Sequence, residues 1–243
     1  MLLLTVVFGI PAPAQSVSKN LLFFEDFEGK QPFSGAHRIE TGDWDYALNY
    51  VEKPVFRGKK AARFEIREGQ ELVHNGVRAE VTIIKGLPSR NMWYSFAVYF
   101  PSDGYATDSQ REVICQWYQD GTPATSFRGR NDRLLLDSGN DPEKRIPYDL
   151  GPIVKDQWTE VVFHFIHSYK EDGLVEVWIN GNLALSRKGG NMYDDVLPKW
   201  KVGLYKASFK YHNSDVNRRL LFFDNIRVGG PGSTLQEMLP GGK

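Results

Sequence analysis

The chain has 243 residues, 41% of them hydrophobic and 25% charged, enough apolar material for one globular domain with a sizeable core. This composition argues against a disordered chain. Thirty Lys and Arg balance thirty Asp and Glu, so the net charge is zero, and no nucleic-acid partner held by a global positive field is expected.

The first segment differs from the rest. An apolar stretch, Leu2 to Ile10, runs into Ala12-Pro13-Ala14. It reads as a signal peptide over residues 1–14, cleaved after Ala14. The remaining chain, 15–243, is then a single exported domain, secreted or periplasmic. No apolar run reaches the roughly 18 residues of a transmembrane helix, so no membrane partner is expected. Cys115 is the single cysteine, which leaves no intramolecular disulfide and no cysteine-based zinc site. Its apolar neighbours predict a buried, inert thiol.

Helical periodicity is nearly absent. Short alternating or apolar runs rich in aromatic and β-branched residues recur instead. They are Leu21–Phe27, Ala61–Ile66, Arg78–Ile84, Trp93–Phe100, Glu112–Tyr118, Arg133–Asp137, Trp158–His167, Leu174–Ile179, Asn182–Ser186, Lys199–Tyr205 and Leu220–Val228. Gly, Pro, Asn and Asp punctuate them, as they do strands. Asn180-Gly181, flanked by apolar runs, is the strongest hairpin signal. So many strands in one domain predict an all-β fold, an antiparallel two-sheet β-sandwich of the jelly-roll type. The Gly/Pro-rich tail, 229–243, is expected to be loosely held.

Strand side chains alternate between faces. Arg78 and Glu80 therefore share one face, as do Gln116 and Tyr118, and Lys201, Gly203 and Tyr205. Cys115 and Trp117, and Trp200, Val202 and Leu204, point the other way. For any one strand the polar side is an ordinary solvated face. Three together make a polar groove, with Gly203 leaving room for a ligand close to the backbone.

The chain has no G-x-S-x-G, H-E-x-x-H, Walker A or G-x-G-x-x-G pattern. Arg, Gln, Lys and Tyr on one face suit β-elimination of a polyuronate. That reaction removes the weakly acidic C5 proton beside a carboxylate. Arg or Gln on the carboxylate stabilises the enolate-like intermediate. Tyr or His takes the proton, and Tyr protonates the leaving O4.

The motifs FFEDFEG (Phe23–Gly29), RAEV (Arg78–Val81), WYSFAVYFP (Trp93–Pro101), VICQWY (Val113–Tyr118), GLVEVWING (Gly173–Gly181), KVGLY (Lys201–Tyr205) and FFDNIRVG (Phe222–Gly229) occur in this order. In this the chain resembles the heparin-lyase-I-like polysaccharide lyases, the jelly-roll group that includes glucuronan lyases and is related in motif to alginate lyases. The resemblance implies that Arg78 binds the substrate carboxylate, with Glu80 holding Arg78. It implies that Gln116 neutralises that carboxylate, that Tyr205 is the catalytic acid and possible base, and that Lys201 lines the subsites. Family members often carry Gln-Trp-His where this chain has Gln116-Trp117-Tyr118. His74 is a candidate substitute for that histidine, with a plain loop role as the alternative.

Stereochemistry narrows the substrate. In β-1,4-linked glucuronate or mannuronate the C5 hydrogen and O4 lie on the same ring face, so one Tyr serves both. Tyr205 without the Gln-x-His histidine therefore leans towards glucuronate or mannuronate, and the resemblance to glucuronan lyases makes a β-1,4-glucuronan-type polymer the expected substrate. Basic residues including Arg128 and Arg130 would gather such an anionic polysaccharide beside the groove. His164 and His167 fall on opposite faces of one strand, and His37 and His212 read as loop residues. No cofactor is required for catalysis. Asp26 and Asp224 are candidate ligands of a structural Ca²⁺ where the first and last strands meet. The expected protein is a monomer. The rival readings are a non-catalytic carbohydrate-binding module of the same fold, and a glycoside hydrolase. The latter needs two carboxylates facing each other across the groove.

Overall fold

The computed structural model describes residues 18–119 and 121–242. The expected signal peptide lies outside them. Numbered along the chain, the strands are β1 (Leu21–Glu25), β2 (Arg38–Glu40), β3 (Leu48–Val51), β4 (Ala61–Arg67), β5 (Arg78–Ile84), β6 (Asn91–Tyr99), β7 (Glu112–Tyr118), β8 (Pro123–Arg130), β9 (Arg133–Ser138), β10 (Ile146–Pro152), β11 (Trp158–Ile166), β12 (Leu174–Ile179), β13 (Asn182–Lys188), β14 (Lys199–Tyr205) and β15 (Arg218–Gly229). They build two antiparallel sheets. One has the order β13-β12-β11-β6-β15-β4-β3, with β1 also paired to β15, and the other β10-β9-β8-β7-β14-β5-β2. This is the expected β-sandwich of the jelly-roll type.

Alternation builds the core. Cys115 and Trp117 of β7, Trp200, Val202 and Leu204 of β14, and Ala79, Val81 and Ile83 of β5 all point inward and are buried. They meet aromatic residues of the facing sheet. The Trp117 ring lies 4.3 Å from that of Phe165 and 5.3 Å from that of Tyr94. Truncating one such ring to alanine costs about 3–5 kcal/mol. Asn180 and Gly181 both take positive φ in the β12–β13 hairpin, as expected.

Four strands carry no clear sequence signal. Strands β2 and β3 are three and four residues long. Strand β8 begins at a proline and places Ser126 and Arg128 opposite buried Phe127. Strand β10 is an exposed edge with Pro147 and Gly151. Two single-turn helices, α1 (Ala207–Lys210) and α2 (Leu235–Met238), are too short to show a helical period.

The tail corrects an expectation. It is not loose but packed on the outer side of β6 and β11. Thr234 and Glu237 form a capping box at the start of α2. Met238 is fully buried beside Trp93 and Val162. The buried Arg227 guanidinium donates to the carbonyls of Glu237 at 2.7 Å and Leu239 at 2.8 Å. The other end of the domain joins in: the Ser18 hydroxyl donates to Glu237 at 2.7 Å and the Asn20 amide to the Gly232 carbonyl at 2.9 Å. Composition predicts mobility here because a glycine- and proline-rich segment carries few side chains to pack. This one is held through its backbone carbonyls instead.

Beyond the last residue of β14 lies a buried ion cluster. The Lys206 ammonium sits 2.9 Å from Asp108 and 3.0 Å from Glu112, and Arg219 lies 3.0 Å from Glu112 and 3.3 Å from Asp108. It pins the end of β14 to the starts of β7 and β15. Removing one member of such a cluster strands an uncompensated charge, at a cost of about 3–5 kcal/mol.

Candidate active site

The outer face of the seven-stranded sheet carries a cleft of about 660 Å³. Its floor comes from the polar faces of β2, β5, β7, β8 and β14. Register explains who meets whom. Lys201 pairs with Gln116 on one side and Thr82 on the other, Tyr205 with Arg78, and Glu40 with Glu80. His74 enters from the loop before β5. It and Asn75 both adopt positive φ in a tight turn closed by hydrogen bonds between Val73 and Gly76.

Two buried carboxylates organise the floor. Glu80 is 1% exposed. It binds Arg78 at 3.1 Å and accepts a hydrogen bond from the Gln116 amide. Glu40 accepts from Lys201 at 2.8 Å and Thr82 at 2.5 Å, and lies 3.3 Å from Nδ1 of His74 and 3.9 Å from Arg78. Their acidities diverge. Burial pushes the Glu80 carboxyl up, against the pull of Arg78, Lys201 and the Gln116 amide. Glu40 is also desolvated, but its hydrogen bonds from Lys201 and Thr82 and the Lys201 charge prevail and hold it at about 2.

Tyr205 lies over this floor. The Arg78 guanidinium sits 4.8 Å from its ring centroid. Among the described residues nothing hydrogen-bonds its hydroxyl, which is therefore open to a ligand. Burial raises the phenol above its usual range, with Arg78 opposing and Glu80 reinforcing the rise. At the other wall the Tyr118 ring lies 5.0 Å from the Lys201 ammonium and 5.7 Å from that of Lys199.

The structure thus brings Arg78, Glu80, Gln116, Tyr118, Lys201, Tyr205 and His74 together in one cleft. Glu80 holds Arg78, as the resemblance implies, and with its carboxylate spent on Arg78 and Gln116 it is too deeply enclosed to touch a substrate directly. Two sequence readings need correction. Arg130 does not line the cleft. It sits at the β8–β9 turn, donating to the Ser109 carbonyl at 2.8 Å, and the residue of β8 that reaches the cleft is Arg128. Gly203 makes no room for a ligand. Its φ is +128°, and a Cβ there would come within 2.3 Å of the Ala79 carbonyl oxygen on β5, so a β-bulge requires it.

Glu40 and Arg38 went unrecognised in the sequence. The Arg38-Ile39-Glu40 alternation is the one signal that could have found them. The remaining histidines stay out of the chemistry, apart from His37 at the cleft margin. His164 stacks on Trp93 and lies 2.9 Å from Glu176, and His167 lies 2.9 Å from the Tyr94 hydroxyl, held down at about 3 by burial.

Asp26 and Asp224 lie away from the cleft, where β1 meets β15. Asp224 accepts backbone hydrogen bonds from Phe56, Arg57 and Asn225. Burial lifts its carboxyl to about 7 despite those bonds, and Asp26 adds to the rise. A hard cation bound there would offset the repulsion between the two carboxylates. Among the described residues no three His, Cys, Asp or Glu side chains gather as metal ligands.

A polysaccharide lyase family model matches residues 26–227. The chain belongs to the polysaccharide lyase family and is a lyase acting on a polysaccharide. Among solved structures it is similar to the endo-β-1,4-glucuronan lyase of the fungus Trichoderma reesei, at 17% identity and a TM-score of 0.75, covering 92% of this chain and 100% of that one. The alginate lyase AlyC3 is similar at 14% identity and a TM-score of 0.54, covering 76% and 78%. The fold also extends to the catalytic domain of a glycoside hydrolase family 131 protein from Coprinopsis cinerea, at 13% identity and a TM-score of 0.55, covering 80% and 83%. No curated protein matches the chain in sequence.

Proposed function

We propose that this lyase is exported and cleaves a β-1,4-glucuronan-type polymer by β-elimination. The observation that carries the reading is the unengaged Tyr205 hydroxyl above a floor where Glu80 anchors both Arg78 and Gln116. Arg78 and the second N–H of the Gln116 amide neutralise the uronate carboxylate, which acidifies the C5 hydrogen. The Tyr205 oxygen, as phenolate, takes that proton. The electron pair forms the C4–C5 double bond as the C4–O4 bond breaks, and Tyr205 returns its proton to O4. One group serves both ends because the two atoms share a ring face in glucuronate.

The reading of an internally cutting enzyme rests on the shape of the cleft. Two shallower depressions share its lining, through Arg128 and Ala207 at one end and Lys85 and Lys199 at the other. A long chain therefore has room on both sides of Tyr205. A hydrolase mechanism is disfavoured: the carboxylates of the floor, Glu40 and Glu80, are register partners on adjacent strands, not opposed across a groove. A Ca²⁺ at Asp26 and Asp224 would serve the fold and enter no chemical step, and the working unit is a monomer.

The test is to incubate the purified protein with glucuronan, polymannuronate, polyguluronate and heparin and follow the ultraviolet absorbance of the C4–C5 double bond. Absorbance should rise on glucuronan. A rise confined to polyguluronate or iduronate-rich heparin overturns the single-tyrosine mechanism, and no rise on any polymer overturns the substrate class.

A further inference from the structure

Three cations of the cleft are matched to carboxylates. Arg78 is matched to Glu80 and Glu40, Lys201 to Glu40, and Arg128 to Asp137 at 3.1 Å. Arg38 has no carboxylate partner among the described residues. Its one side-chain contact is a hydrogen bond from Nη2 to Nε2 of His74 at 2.8 Å. A guanidinium only donates, so Nε2 must present its lone pair. The neutral ring then carries its hydrogen on Nδ1, which faces Glu40 Oε2 at 3.3 Å. Glu40 is itself fixed from two other strands, by Thr82 and Lys201.

We propose that Glu40, His74 and Arg38 form a positioning relay in which Glu40 holds His74 as the Nδ1–H tautomer and His74 aims the uncompensated Arg38 guanidinium at a uronate carboxylate. A carboxylate in the place of His74 would orient Arg38 equally well but cancel its charge. A neutral acceptor orients it with one of its five N–H groups and leaves the rest of the fork for a bidentate partner. The positive-φ turn at His74 and Asn75 fits this role. It is tied from the far side by Lys210, whose ammonium donates to the Asn75 side chain at 2.7 Å. Arg38 stands on the edge strand β2, beside Thr82 of β5, while Tyr205 stands on β14 beyond it, so the carboxylate it takes belongs to a sugar neighbouring the one that reacts. His74 is then a positioning residue, and the proton transfers remain with Tyr205. The relay depends on the lyase reading only for the identity of its ligand.

The tautomer is read without any turnover. Side-chain ¹⁵N NMR of the unliganded protein, with His74 assigned by its loss in His74→Gln, should show a neutral ring protonated on Nδ1. Protonation on Nε2 overturns the relay. Glu40→Gln should shift His74 away from that form; an unchanged spectrum removes Glu40 from the relay. Binding is read by calorimetry with a β-1,4-glucuronate tetramer and with cellotetraose, which has the same linkage and no carboxylates. Arg38→Gln should weaken the tetramer by about tenfold or more, the scale of a charge-assisted pair, and leave cellotetraose as it was. Unchanged tetramer affinity overturns the proposal.

Kinetics separates the two roles of His74. As a positioning residue, His74→Gln raises KM alongside Arg38→Gln, and the double variant is no worse than either single one. If His74→Gln abolishes kcat while Arg38→Gln leaves KM alone, His74 is the base and the relay is wrong. A lyase without activity on any polymer leaves the spectroscopic and calorimetric results intact, which keeps the two readings separate.

Discussion

Gly76 faces the ring of Tyr205 so closely that a Cβ on it would stand 2.6 Å from Cε2 of the tyrosine and 2.8 Å from Nη2 of Arg78. Its φ is not in the left-handed region, so alanine is excluded by space and not by backbone conformation. Gly76→Ala should therefore push Tyr205 and Arg78 aside. A shift of about 1 Å at the reacting group costs roughly a hundredfold in rate. The expected outcome is a fall in kcat of that order with a nearly unchanged melting temperature. Wild-type kcat in the variant would show that the loop does not set the position of Tyr205.

Tyr205→Phe removes the proposed base and acid together. Turnover should fall by roughly 10²–10⁴-fold, while binding of an oligouronate persists. Because burial raises the phenol above 10, the fraction present as phenolate is still growing as pH passes through 10. Turnover rate, measured within the range where the fold survives, should climb with pH and show no plateau below that point. A plateau near neutrality points to a base other than Tyr205.

Glu40 also governs behaviour in acid. Its folded-state value of about 2 lies below the ordinary 4.5, so its contribution to stability is complete above 4.5 and is lost as pH falls towards 2. The gap in unfolding free energy between wild type and Glu40→Gln should be on the order of 2 kcal/mol near neutrality, allowing for residual hydration, and should shrink below about pH 4.5 and close towards about pH 2. Urea titrations at both conditions measure it. A gap independent of pH means that Glu40 acts by shape alone.

Calcium should act on the fold and not on the rate. With Ca²⁺ present the melting temperature should rise by a few degrees, the scale of about 1 kcal/mol for a chain of this size, and a chelator should reverse it. Asp224→Asn should abolish the response while leaving KM unaltered. A calcium effect that survives Asp224→Asn places the ion elsewhere.

Period-two alternation made much of the cleft legible beforehand. Gln116, Lys201, Tyr205 and Arg78 lie in strands long enough for their faces to be read, and all four reach the floor. Glu40 and Arg38 were hidden because β2 has three residues and no apolar run to announce it. The sequence offers Arg128 and Arg130 alike as basic residues beside the groove, because nothing in it shows where β8 ends and which of the two lies over the floor. The reason for Gly203 was misread, since a bulge in the pairing with β7 and a close approach to the β5 backbone are properties of neighbouring strands. The tail escaped because the contacts of Arg227 run to carbonyl groups, which every sequence possesses alike.

The pairing of β1 with β15, and the hydrogen bonds from Ser18 and Asn20 into the tail, bring both ends of the described domain to the side facing away from the cleft. A surface or a fusion partner attached through residue 242 would thus sit behind the enzyme, leaving a polymer many times longer than the cleft free to thread past its front. The same adjacency makes the molecule a natural candidate for rejoining its ends and opening the chain elsewhere, since the new junction would have only a short gap to span.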